Sequence, residues 1–162
     1  MRSRLFFGVL LVASVVAVSS PVVAQVPDAW TGTWKLNLAK SKYEPANLAP
    51  KSQTVKTEAV AGGGMKVTTD AVDAQGKATH QEVTTMFDGK PADLRGAADA
   101  NTTRVYRRID NRNWEFVTSV GGKVTTTTHT VIAADGKSRT NTTTGKNAQG
   151  VTVNNVAVYE KQ

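Results

Sequence analysis

From position 61 onward, turn signals recur roughly every ten residues along this chain. They are Gly62-Gly63-Gly64, Asp73-Ala74-Gln75-Gly76, Asp88-Gly89, Asp110-Asn111, Gly121-Gly122, Asp135-Gly136 and Asn147-Ala148-Gln149-Gly150. Asp-Gly and Gly-Gly supply the positive φ values that tight hairpins require. The stretches between them are rich in threonine and valine, which suit a pleated chain, and none shows a helical period. A chain punctuated this often is restricted to many short antiparallel strands, in a sandwich or a barrel. Consecutive short hairpins predict an all-β fold, a single up-and-down antiparallel β-barrel of about 8–10 strands, because closure removes the edges a meander leaves exposed. The segments read as strands are 33–38, 52–60, 64–72, 77–87, 91–95, 102–109, 113–120, 123–133, 137–144 and 151–160. Asn37 to Lys51, with Pro45 and Pro50, is too long for a hairpin turn. It is expected to be an irregular crossing or lid with one helical turn around Leu38 to Ser41.

The first residues follow a different pattern. Met1 to Arg4 carries two positive side chains, Leu5 to Val18 is an uncharged and mainly apolar run, and Val22-Val23-Ala24 offers small residues before Gln25. Those are the parts of a secretory signal peptide, and the run falls short of the ~20 apolar residues of a spanning helix. Residues 1–24 are therefore expected to be a signal peptide and 25–162 one barrel domain, periplasmic or secreted. The absence of cysteine excludes lipoprotein processing, disulfides, a thiol nucleophile and cysteine-ligated metal. No later stretch is long and apolar enough to cross a bilayer as a helix. Of the 20 basic residues, Arg2 and Arg4 lie in the leader, leaving 18 against 13 acids. This mild excess suits an anionic envelope component such as lipopolysaccharide or phospholipid headgroups. Nucleic acid is not expected, since alternation divides the cluster Arg104, Arg107, Arg108 and Arg112 between two faces.

Little in the chain points to catalysis. His80 and His129 lie on separate strands without metal-ligand spacing, so no metal or cofactor is implied. No Gly-x-Ser-x-Gly elbow is present, and the acids sit at turns and on polar faces. The chain is read as a non-enzyme.

Period-two alternation assigns candidate interior residues. Met65, Val67 and Ala71 share one face, as do Val83 and Phe87, and Trp114, Phe116 and Val120. Val105 and Ile109 share a face with Arg107, so an inward Arg107 could clamp a carboxylate. The alternative has the arginine face solvated and Tyr106 inside. Val153, Ala157 and Tyr159 oppose Val156 and Val158, so the last strand is apolar on both faces. Thr125-Thr126-Thr127-Thr128 offers no alternation. Its inner half places hydroxyls in the interior, where a partly wet lumen would satisfy them, unless threonine serves only as a strand former.

The opening Trp30-Thr31-Gly32-Thr33-Trp34-Lys35-Leu36-Asn37 carries Gly-x-Trp at the first strand of this meander. It resembles the lipocalins and the intracellular fatty-acid-binding proteins, together the calycins. Gly32-Thr33-Trp34-Lys35-Leu36 is close to the fatty-acid-binding version, and the end, Val158-Tyr159-Glu160-Lys161, resembles that family's last strand. Small exported bacterial proteins described as lipocalin-like share the Gly-Thr-Trp-Lys-Leu-Asn opening. The resemblance implies that Trp34 plugs one barrel end with a basic side chain, here Lys161, across its ring. Fatty-acid-binding proteins hold the ligand carboxylate with an arginine two residues before the last-strand tyrosine, whereas this chain has Ala157 before Tyr159.

Fold and resemblance together lead to one expectation: a lipocalin-like barrel binding a small apolar or amphipathic molecule in its lumen. The candidate lumen residues are Trp34, Met65, Val67, Phe87, Arg107, Trp114, Phe116 and Tyr159. The rival is a filled barrel that acts as an envelope structural or interaction protein through its mildly basic surface.

Overall fold

A computed structural model describes residues 25–162; the signal peptide expected over 1–24 lies outside the described residues. Ten antiparallel strands follow one another: β1 (Gly32–Leu36), β2 (Ser52–Val60), β3 (Gly64–Val72), β4 (Ala78–Thr85), β5 (Ala92–Asp93), β6 (Thr102–Arg108), β7 (Asn113–Val120), β8 (Lys123–Ile132), β9 (Ser138–Lys146) and β10 (Thr152–Lys161). They form one sheet in the order β4-β3-β2-β1-β10-β9-β8-β7-β6-β5. Each expected strand is present, with ends displaced by a few residues. The barrel is nearly closed. Its last seam, between β4 and β5, is held by one backbone bridge, in which Glu82 N–H donates to Arg95 O at 3.0 Å and Arg95 N–H returns to Glu82 O at 2.9 Å.

The Asn37–Lys51 segment is wall, not lid. Two 3-10 turns, Leu38–Lys40 and Ala46–Leu48, interrupt it. Asn37 caps the first by accepting from Lys40 N–H at 3.2 Å. Its backbone stays bonded to β10 through Asn37 N–H to Val158 O, the Lys42–Val156 pair in both directions, and Asn154 N–H to Glu44 O. Between those bonds, the Ser41 hydroxyl accepts from Val158 N–H at 2.9 Å. The crossing thus carries the β1 edge onward along β10 and turns Tyr43 towards the lumen.

The register separates two ends. Residues 25–31 and the turns after β2, β4, β6 and β8 close one end, and Trp30, Trp34, Met65, Phe87, Trp114 and Ile132 belong to the apolar cluster there. The crossing and the turns after β3, β5, β7 and β9 surround the other. Gly32 has φ of +124°, which lets the entering chain swing from the closed end into β1.

Seam closure depends on a second glycine. Gly96 follows the bridge at φ +74°, and a Cβ there would strike the carbonyl oxygen of His80. Gly96→Ala is expected to cost about 3 kcal/mol, against about 1 kcal/mol for Gly121→Ala, where the new methyl meets open space. Urea denaturation of the two variants checks the difference.

Candidate functional site

The closed end is built on tryptophan. Trp30 is 0% exposed, 4.4 Å from the Trp114 ring centre and 5.6 Å from that of Phe87. Its indole N–H donates to Asn111 O at 2.8 Å, in the turn between β6 and β7, and Arg108 lies 5.4 Å above the ring. Trp34 is equally buried. Lys161 Nζ lies 5.2 Å from its ring centre, where the resemblance places a basic group, and the Arg139 guanidinium lies 5.2 Å from the same ring. The bond from a plug indole to a loop carbonyl is thus made by Trp30, while Trp34 Nε1 has no partner among the described residues.

Above this plug lies a cavity of about 220 Å³. On β6 and β7, Tyr106, Trp114 and Phe116 make an aromatic wall, with Tyr106 and Phe116 ring centres 5.0 Å apart. On β8 and β9 the wall is polar: Thr126, Thr128, Thr130, Asn141 and Thr143. The inner half of the threonine run therefore does face a lumen. Val55 and Val67 line the side made by β2 and β3.

Of the expected lumen residues, Val67, Trp114, Phe116 and Tyr159 line this cavity. Trp34, Met65 and Phe87 instead belong to the apolar cluster that forms the plug, Trp34 and Met65 fully buried and Phe87 packed against them. Arg107 is outside. Its side chain is 71% exposed and pairs with Glu115 at 3.3 Å, and its face-mate Ile109 is 46% exposed. Tyr106, 2% exposed, points in. The reason is hairpin register. Across the Asp110-Asn111 turn, Tyr106 opposes Phe116 and Arg107 opposes Glu115, and residues directly opposite share a face. An inward Phe116 therefore requires an inward Tyr106.

Two arginines that the sequence reading did not place inside line the lumen, Arg104 and Arg139. Arg104 lies 4.6 Å over Phe116, and its Nε has no partner among the described residues. Arg139 on β9 is 3% exposed and stands opposite Tyr159 in register. Its guanidinium carbon is 4.8 Å from the Tyr159 ring centre, Nη1 donates to the Thr57 hydroxyl at 3.4 Å, and Nε is without a partner. No aspartate or glutamate lines the cavity. Burial pushes Arg139 down to about 10, with the neighbouring tyrosines acting in the opposite direction, so the lumen holds a cation at neutral pH. Tyr159 donates its hydroxyl to Gln53 Oε1 at 2.7 Å. Burial raises its phenol, although Arg139 and Arg104 oppose that shift, and burial raises Tyr43 as well. The lumen thus combines two guanidinium groups with neutral hydroxyl and amide side chains and no carboxylate.

A different set of charges lies on the outer surface of β3 and β4. There His80 Nδ1 meets Asp70 Oδ1 at 2.6 Å, and the bond to Asp70 raises the imidazole from its ordinary value. Among the described residues no group of three or more histidine, aspartate or glutamate side chains could hold a metal ion. No helix there is long and apolar enough to cross a membrane.

The geometry has close parallels among solved structures. The crystal structure of the wild-type fluorescent protein UnaG is 17% identical with a TM-score of 0.57, covering 82% of this chain and 97% of that one. A single-site variant of UnaG is 19% identical with a TM-score of 0.58, covering 83% and 97%. This chain shares the barrel fold of UnaG. At this level of identity the likeness extends to the fold. No protein-family model and no curated protein matches the sequence.

The tryptophan plug gives a direct test. Trp30→Ala removes a buried ring packed at a tilt against Trp114 and is expected to cost about 3–5 kcal/mol, read by urea denaturation. Trp34→Phe, which keeps an aromatic ring and strands no indole N–H, should cost less than half as much.

Proposed function

We propose that this barrel is an exported binding protein, not an enzyme, that holds a small amphipathic molecule in its lumen with an acidic group on Arg139. The observation that carries the reading is a fully buried guanidinium in a lumen lined by no carboxylate. Leaving a buried charge uncompensated costs about 3–5 kcal/mol, and an anionic ligand group would offset that cost with charge-assisted hydrogen bonds. Tyr159 and Arg104 would flank the same group, while Trp114 and Phe116 offer an apolar surface for the remainder. An arginine on β9, beside Tyr159, would then occupy the role left open by Ala157 on β10. The Met1–Ala24 pattern supports a periplasmic or extracellular place of action. The mildly basic exterior leaves room for contact with an anionic envelope component, but a cavity of about 220 Å³ favours cargo over a filled barrel.

The test compares carboxylic acids with their matched alcohols, titrated by calorimetry against the wild type and Arg139→Met. Acids should bind the wild type at least tenfold better than the alcohols, a difference of about 1.4 kcal/mol, and Arg139→Met should erase it. The same substitution should leave stability unchanged or raise it by roughly 1–4 kcal/mol, since an unpaired buried charge is replaced by a buried apolar chain. An Arg139→Met protein with undiminished preference for acids would contradict the proposal. Affinity for acids is expected to stay level from about pH 6 to 9 and fall as pH rises through about 10, where Arg139 loses its proton.

A further inference from the structure

The polar wall of the lumen is only partly satisfied, and the unsatisfied part is localised. On β8 and β9 two cross-strand pairs face the cavity one above the other, Thr128 with Thr143 and Thr130 with Asn141. The first pair is closed, its hydroxyls 2.8 Å apart. The second is open: Thr130 Oγ1 and Asn141 Oδ1 are buried, and neither has a partner among the described residues. Thr130 is 1% exposed. Buried polar atoms are nearly always bonded, so this pair has bonding capacity left for a partner in the lumen.

Its position relative to the acid anchor is set by the strand. Arg139 is two residues before Asn141 on the same face of β9, which is about 7 Å along the chain. On the other side of Thr130 and Thr128 in the sheet, β7 presents Trp114 and Phe116 in direct register. A ligand anchored at Arg139 therefore meets aromatic rings along one flank and hydrogen-bonding groups along the other. The space is also small. At about 220 Å³ it lies below the roughly 300–1,000 Å³ of drug-sized pockets. A long alkyl chain would leave the Thr130–Asn141 pair unbonded.

We propose that the lumen takes a compact hydroxylated aromatic carboxylic acid, whose ring lies against Trp114 and whose hydroxyl bonds the Thr130–Asn141 pair. A phenolic hydroxyl can donate to Asn141 Oδ1 while accepting from the Thr130 hydroxyl. This inference rests on the reading of Arg139 as acid anchor but is separable from it.

The experiment is calorimetric titration of the full mature chain with caffeate, cinnamate and decanoate, which share the carboxylate and differ in ring and hydroxyls. Caffeate should bind at least tenfold more tightly than cinnamate, and decanoate should bind most weakly. Thr130→Val combined with Asn141→Leu should remove the caffeate advantage and leave cinnamate unchanged. If cinnamate or decanoate binds the wild type as tightly as caffeate, the hydroxyl site is overturned while the anchor stands. If none of the three binds, both readings fall. Should the double variant not fold, the ranking on the wild type decides alone.

Discussion

Arg139 lies against the rings of Trp34 and Tyr159 with one long hydrogen bond to Thr57 and no carboxylate in the lumen. Two aromatic contacts recover part of the lost hydration, since a desolvated cation–π contact contributes about 2 kcal/mol or more. They do not cancel the cost of burying the charge. Any change that fills the lumen with acceptors, or lets Arg139 reach water, would remove the reason for this arrangement. Tyr159, Arg104 and the polar strands β8 and β9 surround that cation in the lumen.

The barrel can hold such a centre because its two ends do different jobs. Trp30, Trp34 and Trp114 with Met65, Phe87 and Ile132 make a dense apolar plug, tied to the turn after β6 by the Trp30 indole. That plug supplies burial where no polar group competes for it. Above it the inward positions change from tryptophan and isoleucine to threonine, asparagine and glutamine, and packing gives way to a cavity. Three glycines mark where the backbone comes unusually close to itself, Gly64 beside Thr85, Gly145 beside Thr125 and Gly96 at the β4–β5 seam.

How much of this was legible depended on local chemistry. The turns were explicit, so ten strands could be placed, and Pro45 and Pro50 marked the interruption after β1. The irregular crossing was recognised, but its bonding to β10 needs non-local partners that no local pattern reveals. Faces were readable where apolar residues alternate, as in Met65 and Val67. They failed on β6, where Val105 and Ile109 look interior but hairpin register with Phe116 puts Tyr106 inside. Arg139 was hidden for a different reason: β9 reads Ser-Arg-Thr-Asn-Thr-Thr-Thr-Gly-Lys, with no apolar residue to betray a face. Only its pairing with Tyr159 across the Asn147–Gly150 turn discloses the orientation. Trp30 was visible four residues before Trp34, but its place in a 3-10 turn outside the strand pattern concealed its part in the plug.

The central claim is that an acid binds through Arg139, and the guanidinium itself can report it. Nitrogen-edited NMR of the Arg139 Nε–H, followed through titration with a carboxylate that binds the chain, measures this contact directly. The account predicts a large downfield movement of that proton as a charge-assisted bond forms, with the exposed Arg107 signal unchanged. Saturation of the protein with ligand while the Arg139 resonance stays in place would contradict it.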